Sequence, residues 1–161
     1  MNVNAFRHFY NYHIAENHNL WELVMQLSKE QFTEPMEYSR GSVRDQVLHL
    51  ISCDDSWFSG LRGVPIPEDL KSADYPERSG IRAHWDNVEK SMRDYLTNLT
   101  DAMLSEKPLG GEDKDLITWQ VLLHVVNHGT DHRAQLLRVL NDMGLKTTSQ
   151  DYIFYVYDHL L

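Results

Sequence analysis

His128 and His132 stand one helical turn apart in the stretch His124-Val-Val-Asn-His-Gly-Thr-Asp-His-Arg-Ala-Gln-Leu136. On a helix, residues at i and i+4 share one face, with Cβ atoms roughly 6 Å apart. Two imidazoles placed that way can grip one metal ion. Both share a helix face with Val121, Val125, Leu136 and Val139, and on such an apolar stripe an unpartnered imidazole is costly. A lone histidine in such a place is more often a hydrogen-bonded core residue, but two would need two separate sets of partners.

His124 extends the series to three, and geometry excludes all three from one ion. His124 and His132 would lie about 12 Å apart along the axis, whereas a metal sits only ~2.1 Å from its imidazole nitrogen. The pair is therefore His124–His128 or His128–His132, and the remaining ligand comes from another helix. His49, Cys53 and Asp54 are candidates, as is a histidine of the first helix. Asp54 lies nearer the centre of its apolar stripe than His49, which favours it on spacing alone, although a buried carboxylate can equally orient an imidazole. Cys53 reads most simply as a small buried residue. His8, His13, His18, His84 and His159 are expected at the surface or an interface, and Trp57 and Trp85 in the core or a pocket wall. Arg133 is turned about 100° from His132 and is expected to make a salt bridge at a helix or subunit contact.

Other chemistries lack their residues. No Glu-x-x-His pair is present, which argues against a di-iron carboxylate bundle. Asn127 precedes His128 and Gly129 follows it, so the general base of His-Glu-x-x-His is missing. No nucleophile elbow, phosphate loop or dinucleotide fingerprint occurs.

Four long helices must position these groups. Phe6, Tyr10, His13, Leu20, Val24 and Leu27 recur at helical spacing and predict a first helix over about 4–27. Ser28 and the segment to Phe32 end it, and Pro35 keeps it ended. Ser42 with Asp45 resembles a capping box and opens a second helix with the stripe Val43, Val47, Leu50, Asp54, Phe58 and Leu61, closed by Gly60 and Gly63. Residues 62–79 carry Pro65, Pro67 and Pro76, a length that suits a crossover between helices running the same way or a loop over a site. Trp85, Val88, Met92, Tyr95, Leu96 and Leu99 give a third helix over about 81–99. The fourth is expected from Thr118, as N-cap, to Gly144. It is apolar on two faces, one carrying the histidines and the other Leu122, Val126, Leu137 and Leu140, which predicts deep burial or a homodimer. The aromatic tail from Asp151 to Tyr157 predicts a short fifth helix over one end of the others. The expected architecture is an all-α four-helix bundle in a single domain spanning 1–161.

The 161 residues suit one domain, and 42% hydrophobic with 24% charged residues is an ordinary globular mix. A net charge of −9 argues against nucleic acid as the main partner. No apolar run approaches the ~20 residues that span a bilayer. The N-terminal stretch has no secretory core, and Cys53, the only cysteine, has no partner for an internal disulfide. The expected compartment is the cytoplasm.

Two segments, Ser42-Val-Arg-Asp-Gln-Val-Leu-His-Leu-Ile-Ser-Cys-Asp-Asp-Ser-Trp57 and the His124–Leu136 stretch, resemble the DinB-like, YfiT-related family of bacterial metal-binding four-helix bundles. The resemblance covers nearly the whole chain. It implies an up-up-down-down bundle, often dimeric, with a three-histidine metal site at His49, His128 and His132 and an acidic position at Asp54. Ala134 stands where the family commonly has glycine. Some relatives are transferases or isomerases that use bacillithiol, mycothiol or glutathione. The family name reflects an expression (stress) response and does not imply DNA binding.

Three readings follow. In the first, three imidazoles hold a divalent ion, zinc or nickel, with one position open to a low-molecular-weight thiol, which becomes a nucleophile for a small-molecule electrophile or assists an isomerisation. There Asp54 orients a ligand or handles a proton, and His124 stands behind the ligands or relays a proton. In the second, metal-bound water hydrolyses a substrate with Asp54 as base. In the third, the metal is structural or sensing, in a dimer. Specificity is expected in the pocket wall and in 62–79.

Overall fold

The computed structural model describes residues 1–37 and 40–160. Helix α1 (Val3–Val24) starts on Asn2, whose side chain accepts from Ala5 N. Its buried face is Phe6, Tyr10, His13, Asn17, Leu20 and Val24, a run of four-three-four spacings that keeps one stripe inward. A one-turn helix, α2 (Lys29–Thr33), follows, capped reciprocally by Ser28 and Gln31. Its Phe32 is buried, and Arg78 lies over that ring at 4.5 Å.

Helix α3 (Val43–Arg62) opens on the Ser42–Asp45 capping box and closes at Gly63, whose φ of 65° is left-handed. Gly60 lies inside the helix rather than ending it, and a side chain there would meet Leu109. Helix α4 (Arg78–Asn98) buries Ile81, Trp85, Val88, Met92 and Leu96, with Trp85 edge-on to Trp21 at 6.0 Å. Helix α5 (Thr118–Asp142) is N-capped at Ile117, not Thr118: the Gln120 side chain accepts from Ile117 N, while Thr118 binds Glu106 O. The tail forms α6 (Tyr152–Asp158), the sixth helix because α2 adds a turn. It lies along the flank of α1, not over the end of the bundle, with Tyr152 and Tyr155 against His8, Phe9 and Tyr12.

Contacts between helices fix their directions. Arg7 at the start of α1 donates to Leu96 O and Leu99 O at the end of α4, and Arg78 at the start of α4 donates to Leu27 O just beyond α1, so these two run antiparallel. Tyr10 donates to Leu122 O and Arg133 to Asn17, so α1 and α5 run parallel. His84 approaches Asp55 and Tyr95 packs on Phe58, so α3 and α4 run parallel. His49 faces His132 and Trp57 faces His124, so α3 and α5 run antiparallel. The order of the long helices is therefore up-down-down-up. This corrects the up-up-down-down order that the resemblance implied: the parallel pair joined by a crossover is the middle one, α3 and α4. The crossover doubles back along α3, held by Leu70 N donating to Ser52 Oγ and by Ser72 Oγ donating to Asp45.

The second apolar face of α5 is covered within the chain. Leu122, Val126 and Leu140 are fully buried, and Leu137 packs partly buried against the same core. With Gly129, Arg133 and Leu136, most of this face continues a four-three-four stripe facing α1. The argument for a dimer from that face therefore falls, because the two apolar faces of α5 serve two neighbours, α3 and α1. Among the described residues, no helix is long and apolar enough to cross a membrane.

Candidate metal centre

Antiparallel packing of α3 on α5 sets two i,i+4 pairs opposite each other. His49 and Cys53 belong to α3, His128 and His132 to α5. The His49 ring lies 4.7 Å from His132 and 5.3 Å from His128, and the latter two are 4.4 Å apart. Ligand atoms of His49, Cys53 and His128 all lie within 4.8 Å of one another. The Cys53 sulfur is 3.7 Å and 3.6 Å from the two His49 nitrogens. Nδ1 of His132 is buried with no hydrogen-bond partner. The close group of ligand atoms is His49, Cys53 and His128; His132 packs its ring against theirs but is not part of it, and its bare nitrogen is a buried polar atom in want of a partner.

The imidazoles are held neutral. Burial, then the Arg40 guanidinium and the other two rings, brings His49 down to about 4. Burial, then His132 and His124, brings His128 down to about 4. Burial also lowers His132. Neutral imidazole is the form that binds metal, so little proton competition remains at neutral pH. Burial and then Asp54 push the Cys53 thiol up to about 11. Cys53 is half-buried, at the donor cluster rather than deep in the core.

His124 lies beyond the cluster. Its ring is 5.7 Å from His128 and stands edge-on to Trp57 at 5.2 Å, which makes Trp57 part of the site's wall. Asp54 is turned away from the cluster toward α1: it is 2% exposed, and its Oδ2 lies 3.3 Å from His13 Nε2.

That contact belongs to a buried polar layer that the sequence reading missed. His13, expected at the surface, is fully buried, and Arg133 is 1% exposed. Arg133 Nη1 donates to His13 Nδ1 at 3.1 Å and to Asn17 Oδ1 at 2.8 Å, and Nε donates to Gln150 Oε1 at 3.0 Å. Because Arg133 can only donate, His13 Nδ1 accepts and the neutral ring carries its hydrogen on Nε2, which lies 3.3 Å from Asp54 Oδ2 and 3.3 Å from Asn17 Nδ2. Burial lowers the Arg133 pKa, while Tyr12 and Asp54 act to raise it. The salt bridge expected of Arg133 is replaced by an Arg133–His13–Asp54 relay inside one chain. Gly129 makes the layer fit: a Cβ there would sit 2.4 Å from His13 Cε1. Three of the four cluster residues thus have a chain neighbour in the layer: Cys53 has Asp54, His128 has Gly129, and His132 has Arg133.

A cavity of about 390 Å³ opens beside His49, lined by Arg40, Asp45, Ser52 and crossover residues including Asp69 and Lys71. The crossover from 62 to 79 therefore walls the space next to the cluster. Arg40, which no sequence signal singled out, stands at that mouth.

A model of the DinB family matches residues 1–159. A curated relative, Protein DinB of Bacillus subtilis (strain 168), is 24% identical over 163 residues, covering 95% of this chain and 94% of its own length.

Proposed function

Since this chain belongs to the DinB family, we propose that it is a metal-dependent enzyme that activates a low-molecular-weight thiol, for transfer to an electrophile or for thiol-assisted isomerisation. His49, His128 and His132 hold a divalent ion, zinc or nickel. The observation that carries the reading is the cluster of three neutral imidazoles, one with a bare buried nitrogen, beside a cavity able to admit a small molecule. The ion supplies the Lewis acidity that lets a thiol lose its proton at neutral pH.

The chain's own residues do the rest. Asp54 fixes His13 and, through it, the packing behind α3 and α5. His124 and Trp57 form the rim on the α5 side. Arg40, Asp69 and Lys71 give the cavity mouth its polar character. The hydrolytic alternative needs Asp54 as base, and no observation favours it while that carboxylate faces His13. A homodimer is supported by the family resemblance alone. Isothermal titration of glutathione, bacillithiol and mycothiol into zinc-loaded and metal-free protein tests the reading. It expects binding of at least one thiol by the loaded protein only; no binding of any thiol overturns it.

A further inference from the structure

We propose that Cys53 is the sulfur ligand of this metal centre, closing the three imidazoles into a four-donor nitrogen–sulfur set. The inference rests on the metal-dependent reading above and says which group of the chain takes the fourth direction. Cys53 is one turn beyond His49 on α3, as His132 is one turn beyond His128 on α5. The four donors are therefore two matched pairs facing across an antiparallel interface. For tetrahedral zinc with bonds of ~2.3 Å to sulfur and ~2.1 Å to nitrogen, the sulfur–nitrogen edge is ~3.6 Å. The Cys53 sulfur lies 3.7 Å from His49 Nδ1 and 3.6 Å from Nε2, so it rests alongside the ring, within reach of that edge once one nitrogen turns toward a shared ion. The sulfur has no other hydrogen-bond partner among the described residues, and it lies within 4.8 Å of ligand atoms of both His49 and His128. The carboxylate that could compete, Asp54, is turned to His13. Thiolate with imidazole is also a donor mixture that suits zinc.

Cys53 then holds the place that a substrate thiol takes. Were the ion bound, Cys53 would hold it as thiolate, its proton released to solvent. An external thiol taking that place would give up its own proton to Cys53, so the exchange would need no oxidant or reductant.

X-ray absorption at the zinc edge of the full chain, loaded in thiol-free buffer, tests the assignment. The expected spectrum has one sulfur at ~2.3 Å beside nitrogens at ~2.1 Å. Cys53→Ser and Cys53→Ala are expected to keep zinc, lose the sulfur shell and bind about 10- to 100-fold more weakly, the range seen when support for a metal ligand is removed. A wild-type spectrum with nitrogen and oxygen scatterers only overturns the role of Cys53 and leaves the imidazole site standing. Absence of zinc binding in all three proteins overturns both. Because Cys53 is the only cysteine, its alkylation by iodoacetamide gives an independent readout. Zinc is expected to slow it and added glutathione to restore it; an alkylation rate indifferent to zinc counts against the assignment.

Discussion

Replacing Gly129 with alanine pits two effects of opposite sign against each other. In an exposed helix the change would add about 1 kcal/mol of stability, from the propensity difference. Here the added carbon would lie 2.4 Å from His13 Cε1, 2.9 Å from His13 Nδ1 and 3.0 Å from Arg133 Nη1. Carbon atoms rest at ~3.5–4.0 Å, so the ring must move by about 1 Å. His13 is fully buried and bonded on both nitrogens, so it cannot move freely. Overpacking of this kind costs about 1–3 kcal/mol. Disrupting the Arg133–His13 bond costs roughly 1.5–3 more, because the donor is charged. The net loss is about 3 kcal/mol, which for a chain of this size lowers Tm by about 6–12 °C. Differential scanning calorimetry of the metal-free protein reads it directly. A double-mutant cycle with His13→Ala isolates the cause: in that background Gly129→Ala should cost nothing or stabilise. A Tm for Gly129→Ala equal to or above wild type would refute the claim that the glycine exists to admit His13.

Arg133→Met should cost about 3–5 kcal/mol in denaturant unfolding, because it strands Asp54, His13, Asn17 and Gln150 in a buried layer. It should also speed amide exchange in α6, which follows Gln150; unchanged exchange there would contradict the link. Asp54→Asn should lower stability by about 1.5–3 kcal/mol while leaving metal stoichiometry intact, and loss of metal would instead make Asp54 a ligand. The depressed histidines set a pH window. In the unfolded chain His49 and His128 take up protons near 6.5, whereas in the folded chain they do so only near 4. Metal-free stability should therefore be flat above pH 6.5 and decline as pH falls toward 4, since the unfolded state binds more protons there. A metal-free protein that gains stability over that interval would show that these rings are charged when folded.

The bundle was legible because burial writes itself into spacing. The Ser42 capping box, the crossover and the α5 histidine pair are local patterns, and each forms as its residues suggest. The misplacement of His13 is instructive, because its position was already in the apolar stripe of α1. Chemistry alone sent it to the surface, while the four-three-four spacing from Phe6 to Val24 put it inside. Arg133 and Gly129 carry the same signal on α5, where they continue the stripe of Leu122 and Val126. Reading both stripes together would have paired a histidine with an arginine across a glycine, and would have used the second α5 face for α1 rather than for a second subunit. Direction was less legible. The order up-down-down-up depends on which end of α3 the crossover returns to, and the side-chain bonds that fix it, Ser52 to Leu70 and Asp45 to Ser72, join residues 18 and 27 positions apart. Spacing alone also favoured Asp54 over His49, because a stripe centre identifies burial and not which neighbouring helix a side chain faces.

The central claim is that His49, His128 and His132 hold one divalent ion. Elemental analysis after loading with zinc or nickel and desalting tests it most directly, with the His128→Ala/His132→Ala double variant as the comparison because it leaves only His49 and Cys53 of the cluster. The account predicts about one ion per chain for the wild type and a clear loss for the variant, since an ordinary site needs at least three protein ligands. Sub-stoichiometric metal in the wild type, or equal metal in both proteins, would contradict it.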